Sequence, residues 1–219
     1  MITVENVHKR YTTARGPHWV LRDVNLTFTH ERNVAVIGSN GAGKSTLMRL
    51  LAGTDTPDRG RVQRLCRVSW PIGQARGMQR SMTGRQNARF ICRLYGFESD
   101  VDERVAFING FADLGEAFDQ PVETYSSGMR ARLTFAMSFA FDFDIYLIDE
   151  GMAVGDAAFK RRAKRAFRER AERAAVVLVS HSPSLVRELC QSAVWVHDGK
   201  ADWFENVEEA LEAHEMTEE

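Results

Sequence analysis

The chain has 219 residues, 44% of them hydrophobic and 27% charged, which is enough for a sizeable core in one domain. Its formal net charge of -1 argues against a dedicated nucleic-acid binder held by phosphate contacts. The cysteines Cys66, Cys92 and Cys190 lie far apart without CxxC spacing, which is typical of unpaired thiols in a reducing compartment.

The N-terminal third reads as strands around one helix. Residues 2–6 and 19–29 alternate apolar and polar side chains, which predicts half-buried, antiparallel strands. The continuously apolar run Val34 to Ile37 predicts a strand covered on both faces. A helix should follow from Ser45 to Ala52, and after a turn a further strand should span about 61–70.

The remainder begins with two helical patterns in succession, at 84–96 and 102–114, without a strand between them. Strands and helices then alternate to an acidic C-terminal helix, with helices at 128–141, 157–173 and 183–190 and strands at 145–148, 176–180, 193–198 and 201–204. This order predicts an α/β fold with a mainly parallel sheet. We expect a single domain, 1–219, with an inserted helical subdomain of about 84–140.

The segment GSNGAGKST matches the pattern G-x-x-x-x-G-K-[ST] between a buried strand and a helix, the context of a phosphate-binding loop. The alternative is a glycine-rich turn without a ligand. Main-chain N–H groups and the helix N-terminus would face phosphate oxygens. Lys44 would reach the β and γ phosphates, Ser45 would bind Mg²⁺, and Thr46, one step into the helix, would hydrogen-bond the α phosphate. The candidate binding residues are Gly38, Ser39, Asn40, Gly41, Ala42, Gly43, Lys44, Ser45 and Thr46.

An acid pair, Asp149 and Glu150, follows the predicted strand 145–148. A buried strand delivers such residues to the carboxyl edge of the sheet, where α/β proteins bind ligands. We expect Asp149 to hold Mg²⁺ and Glu150 to act as general base on the attacking water. The alternative is that Glu150 only caps the turn.

A third segment, YSSGMR at 125–130, resembles the signature of ABC ATPases. Together with WPIGQARGMQRSMTGRQN, AVGD and VSHS, it makes the whole chain similar to nucleotide-binding subunits of capsular polysaccharide exporters. Ser127 and Met129 replace the glycine and glutamine of the commonest signature. The resemblance implies that Ser126, Ser127 and Gly128 cover a γ phosphate, whereas the residues alone favour an ordinary serine helix cap.

The resemblance also implies roles for isolated residues. His181 would contact the γ phosphate, and Gln79 would reach Mg²⁺, with Gln74 as a rival at this spacing. Tyr11 would stack on adenine, and its competitors are the aromatic side chains His18 and Trp19. Asp156 matches the aspartate that bridges two cassettes, although it could also cap the helix that follows.

The family pairs two cassettes head to tail, so the resemblance implies a homodimer with ATP and Mg²⁺ at two composite sites. Two permease subunits and envelope-spanning export components are the implied partners, without nucleic acid. The N-terminus has no signal-peptide pattern and no run approaches the roughly 18 apolar residues of a spanning helix. We therefore expect a soluble chain at the cytoplasmic face of the inner membrane.

Three alternatives differ in function. The first is an ABC cassette for another exported substrate, such as O-antigen or teichoic acid. The second is an ABC protein without a transporter, although such relatives usually carry two cassettes or long coiled-coil insertions. The third, a P-loop GTPase, should contain an N-K-x-D base-reading motif, which this sequence lacks.

Overall fold

The structure is a computed structural model that describes residues 1–14, 16–72, 78–95, 99–149, 156–180 and 182–218. The strands are β1 (Ile2–Thr13), β2 (Gly16–Phe28), β3 (Val34–Ile37), β4 (Arg59–Arg64), β5 (Ile145–Asp149), β6 (Ala175–Val179), β7 (Ser192–His197) and β8 (Lys200–Phe204). The α-helices are α1 (Lys44–Ala52), α2 (Gly84–Leu94), α3 (Val101–Ala112), α4 (Ser127–Phe139), α5 (Ala157–Ala171), α6 (Pro183–Leu189) and α7 (Val207–Glu218). Two short 3₁₀ helices, Gly115–Asp119 and Val122–Thr124, connect α3 to α4.

Two sheets carry the strands. The first is antiparallel, in the order β2-β1-β4. The second has the order β5-β6-β3-β7-β8, with parallel pairing up to β7 and an antiparallel edge at β8. The predicted fold class, a mainly parallel α/β core of the P-loop type with N-terminal antiparallel strands, is confirmed.

The chain divides into two compact units. The first contains both sheets with α1, α6 and α7, and is formed by the described residues of 1–71, 143–150 and 170–219. The second contains α2, α3, α4 and most of α5, from the described residues of 72–142 and 151–169. The expectation of one domain with a helical subdomain at about 84–140 stays a prediction.

The core of the first unit explains why α1 forms where it does. Four apolar side chains of this helix are fully buried together with residues of both sheets: Leu47, Met48, Leu50 and Leu51. The helix ends at Gly53, which has φ 72 and donates its N–H to the carbonyl of Leu50. A left-handed glycine is a common helix stop because it has no Cβ to clash.

The strand predicted at about 61–70 is wrong beyond Arg64. Its partner β1 begins at Ile2, which pairs with Arg64, so the antiparallel ladder ends there for lack of a neighbour. The chain then crosses to β5, where Val68 bridges Ile145 and the Ser69 hydroxyl accepts the N–H of Leu147 at 2.8 Å. These residues therefore lie beside the parallel sheet.

An aromatic cluster forms much of the core of the second unit. Phe135 and Phe139 of α4 stack at 4.6 Å between ring centroids, and Phe111 of α3 lies parallel to both. Phe159 of α5 meets Phe111 and Phe135 edge-on. The cluster holds α3, α4 and the start of α5 together.

Candidate functional site

Three strand ends meet at the carboxyl edge of the parallel sheet. Val36 of β3 and Asp149 of β5 both pair with Val179 of β6, so the phosphate loop and the acidic strand end flank β6. Neighbouring strands are about 4.8 Å apart, which places these two ends roughly 10 Å from each other. This is the spacing over which a phosphate chain and its metal can be held.

Two glycines of the phosphate loop have backbones that other residues would not tolerate. Gly38 has φ 140, and a Cβ there would lie 2.2 Å from the carbonyl oxygen of Val196. Gly43 has φ 115, and a Cβ there would lie 2.9 Å from the side chain of Val20. The loop can therefore curl tightly against β7 and β2 only with glycine at these positions.

The start of α1 is open to a ligand. Gly43 at the N-cap provides no side-chain cap, and the N–H of Leu47 donates to the carbonyl of Gly43 at 2.9 Å. The N–H groups of the first helical turn lack intrahelical acceptors, and the helix dipole adds positive potential there. Such a terminus favours an anion.

Lys44 is 8% exposed, and its ammonium donates to the carbonyl oxygens of Gly38 at 2.6 Å and Ser39 at 2.9 Å. These contacts hold its charge inside the loop. Phosphate oxygens of a bound ligand could replace the two carbonyl oxygens as partners of the ammonium. Ser45 is exposed, whereas Thr46 is 5% exposed. The Ser45 hydroxyl is thus accessible to a magnesium ion.

The donor set fits Mg²⁺. This ion prefers oxygen ligands and usually keeps several waters, with one or two protein ligands and phosphate oxygens completing the octahedron. Ser45 and the half-buried Asp149 offer such oxygens in the first unit. Within the described ranges, no group of three His, Cys, Asp or Glu side chains forms a separate metal cage.

Tyr11 is tied to the phosphate loop through Arg49. The Tyr11 hydroxyl donates to Asp55 at 2.8 Å and accepts from the Arg49 guanidinium at 2.9 Å, and that guanidinium also donates to Thr46 at 3.1 Å. The competitors His18 and Trp19 line a cavity of about 590 Å³ together with four residues of the phosphate loop, Ser39, Asn40, Gly41 and Ala42. The adenine contact of Tyr11 stays a prediction.

The ionisation of Asp55 offers a test of the hydrogen-bond network formed by Tyr11, Arg49 and Asp55. Burial raises the pKa of Asp55, but hydrogen bonds from Lys9, Tyr11 and the N–H of Thr56 outweigh burial and hold this pKa below its ordinary value. A carboxyl whose folded pKa is depressed stabilises the fold above its ordinary pKa, and that contribution is lost as pH falls through the folded pKa.

We expect Asp55→Asn to lower the free energy of unfolding most above a pH of about 4. The difference in this free energy between the variant and wild type should shrink as the pH is lowered. Urea unfolding across this range measures it, with the exposed Glu116→Gln as control; a difference that does not vary with pH would contradict the assignment.

Glu150 and His181 lie outside the described residues, as does the rival Gln74, so their predicted roles stay predictions. Their neighbours are described. Asp149 ends β5 and Ser180 follows β6, and these two strands are neighbours in the parallel sheet.

Gln79 belongs to the second unit, and its side chain is exposed. Its backbone is fixed by Asn87, which is fully buried in α2 and accepts the Gln79 N–H at 2.8 Å. The Asn87 amide also donates to the carbonyl oxygens of Gln79, Met82 and Thr83. One buried side chain therefore shapes the segment that presents Gln79.

Replacing Asn87 with alanine removes the acceptor of the Gln79 N–H and truncates a fully buried side chain, whereas the carbonyls of Gln79, Met82 and Thr83 keep backbone donors. We expect the free energy of unfolding to fall by about 2–3 kcal/mol. Urea denaturation measures this change. The exposed Gln63→Ala on β4 serves as control and should stay within about 0.5 kcal/mol of wild type. An Asn87→Ala protein as stable as the control would show that the network contributes little.

Ser126 and Ser127 are exposed at the start of α4. The Ser126 hydroxyl accepts the Met129 N–H at 3.2 Å, so Ser126 is a helix cap, and its contact with a nucleotide stays a prediction. Tyr125 is 3% exposed and donates its hydroxyl to the Ala117 carbonyl at 2.6 Å. A Cβ on Gly84 would lie 2.5 Å from that hydroxyl, so Gly84 makes room for the tyrosine.

Asp156 caps α5, because its carboxylate accepts the Phe159 N–H at 2.8 Å. This hydrogen bond lowers the pKa of Asp156, against a small opposing effect of burial, with help from the Ala158 N–H and the charges of Arg132 and Arg162. The cap does not test the predicted role of Asp156 between two cassettes.

Sequence reasoning missed a cavity of about 290 Å³ beside the phosphate loop. Lys44, Asn40 and Ser180 line it together with His214 and Glu215 of α7. It also missed Arg49, although a residue one helical turn after Thr46 lies on the same face of α1 and could have been considered. Nothing in the sequence marked Asn87 or Asp55 as part of the site, because neither residue forms a recognisable motif with the residues that it contacts in the fold.

Comparison with known proteins gives one family match. The profile described as ABC transporter matches residues 21–153. The polysialic acid transport ATP-binding protein KpsT of Escherichia coli is 46% identical over 96% of this chain and 97% of its own. The capsule polysaccharide export ATP-binding protein CtrD of Neisseria meningitidis is 42% identical over 97% of both chains.

Solved structures share the fold. A dimeric, post-hydrolysis form of the ATP-binding cassette MJ0796, bound to ADP and Pi, has a TM-score of 0.77 at 20% identity. The match covers 94% of this chain and 99% of that chain. In the part of the chain that the structure describes, no helix combines the length and apolar character needed to cross a membrane.

Proposed function

Because the chain belongs to the ABC transporter family, we propose that it is the ATP-hydrolysing subunit of a transporter that exports capsular polysaccharide across the inner membrane. The observation that carries this proposal is the end-to-end similarity to KpsT and CtrD, whose names specify polysialic acid transport and capsule polysaccharide export. The resemblance stated from the sequence motifs is thereby confirmed at the level of the family.

ATP is the proposed ligand of the phosphate loop. Main-chain N–H groups of 38–46 and the Lys44 ammonium would bind the phosphates, and Tyr11 would stack on the base. Mg²⁺, which would be held by Ser45, Asp149 and Gln79, neutralises phosphate charge when bound. The glycine backbones and the open start of α1 support these roles.

Hydrolysis requires a water aligned with the γ phosphate. We assign Glu150 as the residue that orients and polarises this water, since it follows the strand end at Asp149. His181, which follows Ser180 on the adjacent strand end, would contact the γ phosphate and fix the water geometry. Lys44 would stabilise charge on the transferred group.

Each chain has one phosphate loop and one set of Ser126, Ser127 and Gly128. A head-to-tail homodimer would therefore place two ATP molecules, each between one copy's loop and the other copy's serines. ATP that binds the closed dimer better than the open one shifts the population towards closure, and hydrolysis removes that preference. Two permease subunits would convert closure into export, with envelope-spanning components beyond them and the cassettes on the cytoplasmic face.

Deletion of the gene in an encapsulated host tests the function. We expect capsular polysaccharide to disappear from the cell surface and to accumulate inside the cell, because synthesis continues without export. Wild-type protein should restore surface polysaccharide, whereas an equally abundant Lys44→Ala protein should not. Unchanged capsule combined with loss of surface O-antigen or teichoic acid would assign a different exported substrate, and unchanged surface glycans would contradict a role in export.

A further inference from the structure

A single guanidinium joins the two ends of the candidate nucleotide site. Arg49, in the last turn of α1, donates from one terminal nitrogen to Thr46 at 3.1 Å and to Tyr11 at 2.9 Å. Thr46 is the last residue of the phosphate loop, and Tyr11 is the candidate for the base. Both contacts lie in the first unit of the fold.

Asp55 completes the arrangement from the other side. It accepts the Tyr11 hydroxyl on one oxygen at 2.8 Å and the Lys9 ammonium on the other at 2.7 Å. The Tyr11 hydroxyl thus has both a donor and an acceptor partner, which fixes the position of the hydroxyl end of the ring. Its position no longer depends on packing alone.

The same contacts orient Thr46. Because its oxygen accepts from Arg49, its own hydrogen is directed away from the guanidinium and can be donated elsewhere. The side chain of Arg49 is 28% exposed, so its charge is only partly screened by water. Two cations, Lys9 and Arg49, share the one carboxylate of Asp55, which leaves positive charge beside the phosphate loop.

We propose that Arg49 is a positioning residue that couples the phosphate contact of Thr46 to the base contact of Tyr11. This inference rests on the proposed function, since it requires that a nucleoside triphosphate occupies the loop. Arg49 acts through its two hydroxyl partners. Loss of the guanidinium removes one hydrogen bond from each hydroxyl, although Tyr11 still donates to Asp55, whereas Tyr11→Phe removes only the hydrogen bonds of the ring.

The test compares two ligands, the non-hydrolysable β,γ-imido analogue of ATP and inorganic tripolyphosphate, by calorimetry with Mg²⁺. Tyr11→Phe should weaken the ATP analogue about fivefold and leave tripolyphosphate within about twofold. Arg49→Met should weaken the analogue about tenfold and also weaken tripolyphosphate. Arg61→Gln, which removes an exposed ion pair with Glu5 on the same sheet, is the control and should behave as wild type.

Coupling is measured by the double variant. With both substitutions, the loss of affinity for the analogue should be smaller than the product of the two single losses, because the Arg49–Tyr11 hydrogen bond that each variant removes is lost only once. Losses that multiply, or an Arg49→Met protein that matches the Arg61→Gln control, would overturn the inference. If Arg49→Met does not fold, Arg49→Gln replaces it in the same cycle, since its shorter, uncharged side chain cannot reproduce both contacts of the guanidinium nitrogen. Wild-type protein that binds neither ligand would refute the proposed function instead.

Discussion

Glu150→Gln is expected to lower kcat for ATP hydrolysis by about a hundredfold or more while ATP binding persists, because an amide cannot accept the proton of the attacking water. Glutamine keeps the size and polarity of the side chain, so the strand end at Asp149 and the magnesium contact proposed for Asp149 should be preserved. The variant should therefore accumulate in the ATP-bound, closed dimer. Phosphate release measures turnover, and size-exclusion chromatography with ATP and Mg²⁺ measures dimerisation.

The matched control is Glu103→Gln, an exposed residue of α3 that should retain wild-type kcat. An ordinary ATPase rate in Glu150→Gln would remove Glu150 from the mechanism. A slow rate without ATP-dependent dimers would assign the residue to binding, which also contradicts the role given to it here.

Lys44→Ala is expected to reduce both nucleotide affinity and turnover, with kcat lower by about a hundredfold to a thousandfold. The ammonium lies inside the loop, where it donates to the carbonyl oxygens of Gly38 and Ser39. Alanine would leave these carbonyls and the phosphates without a cation between them. Equilibrium binding of labelled ATP and steady-state phosphate release separate the two effects.

Lys200→Ala, an exposed position on β8, controls for loss of a positive charge and should leave both quantities unchanged. Thermal unfolding without nucleotide should show the Lys44→Ala protein to be folded. Normal hydrolysis by that folded variant would contradict the phosphate-loop assignment.

Much of the fold could be predicted because the pattern was strong and local. The run Val34 to Ile37 is fully buried in the middle of the sheet, where continuous apolarity is required. The stretch after Arg64 could not be placed, because its strand-like composition is equally compatible with either sheet and the decision depends on where β1 begins. The 3₁₀ helices at Gly115–Asp119 and Val122–Thr124 were also missed, since such short turns carry little periodicity.

The candidate site likewise contains some residues that the sequence predicts and others that only the structure reveals. The glycines and Lys44 of the phosphate loop form one contiguous motif, and a motif with fixed spacing can be recognised in a sequence. Asn87 and Asp55 act through hydrogen bonds to Gln79 and Tyr11 that depend on the folded path of the chain. Such long-range polar contacts leave no periodic trace, so only a structure reveals them.

The central claim is that one copy's phosphate loop and another copy's serine-rich turn enclose the same triphosphate. A crystal or cryo-electron microscopy structure with a non-cleavable ATP analogue and Mg²⁺ tests it most directly. The account predicts a dimer in which the γ phosphate contacts Lys44 of one chain and residues 126–128 of the other. A nucleotide-bound monomer, or a dimer whose 126–128 segments face solvent, would contradict it.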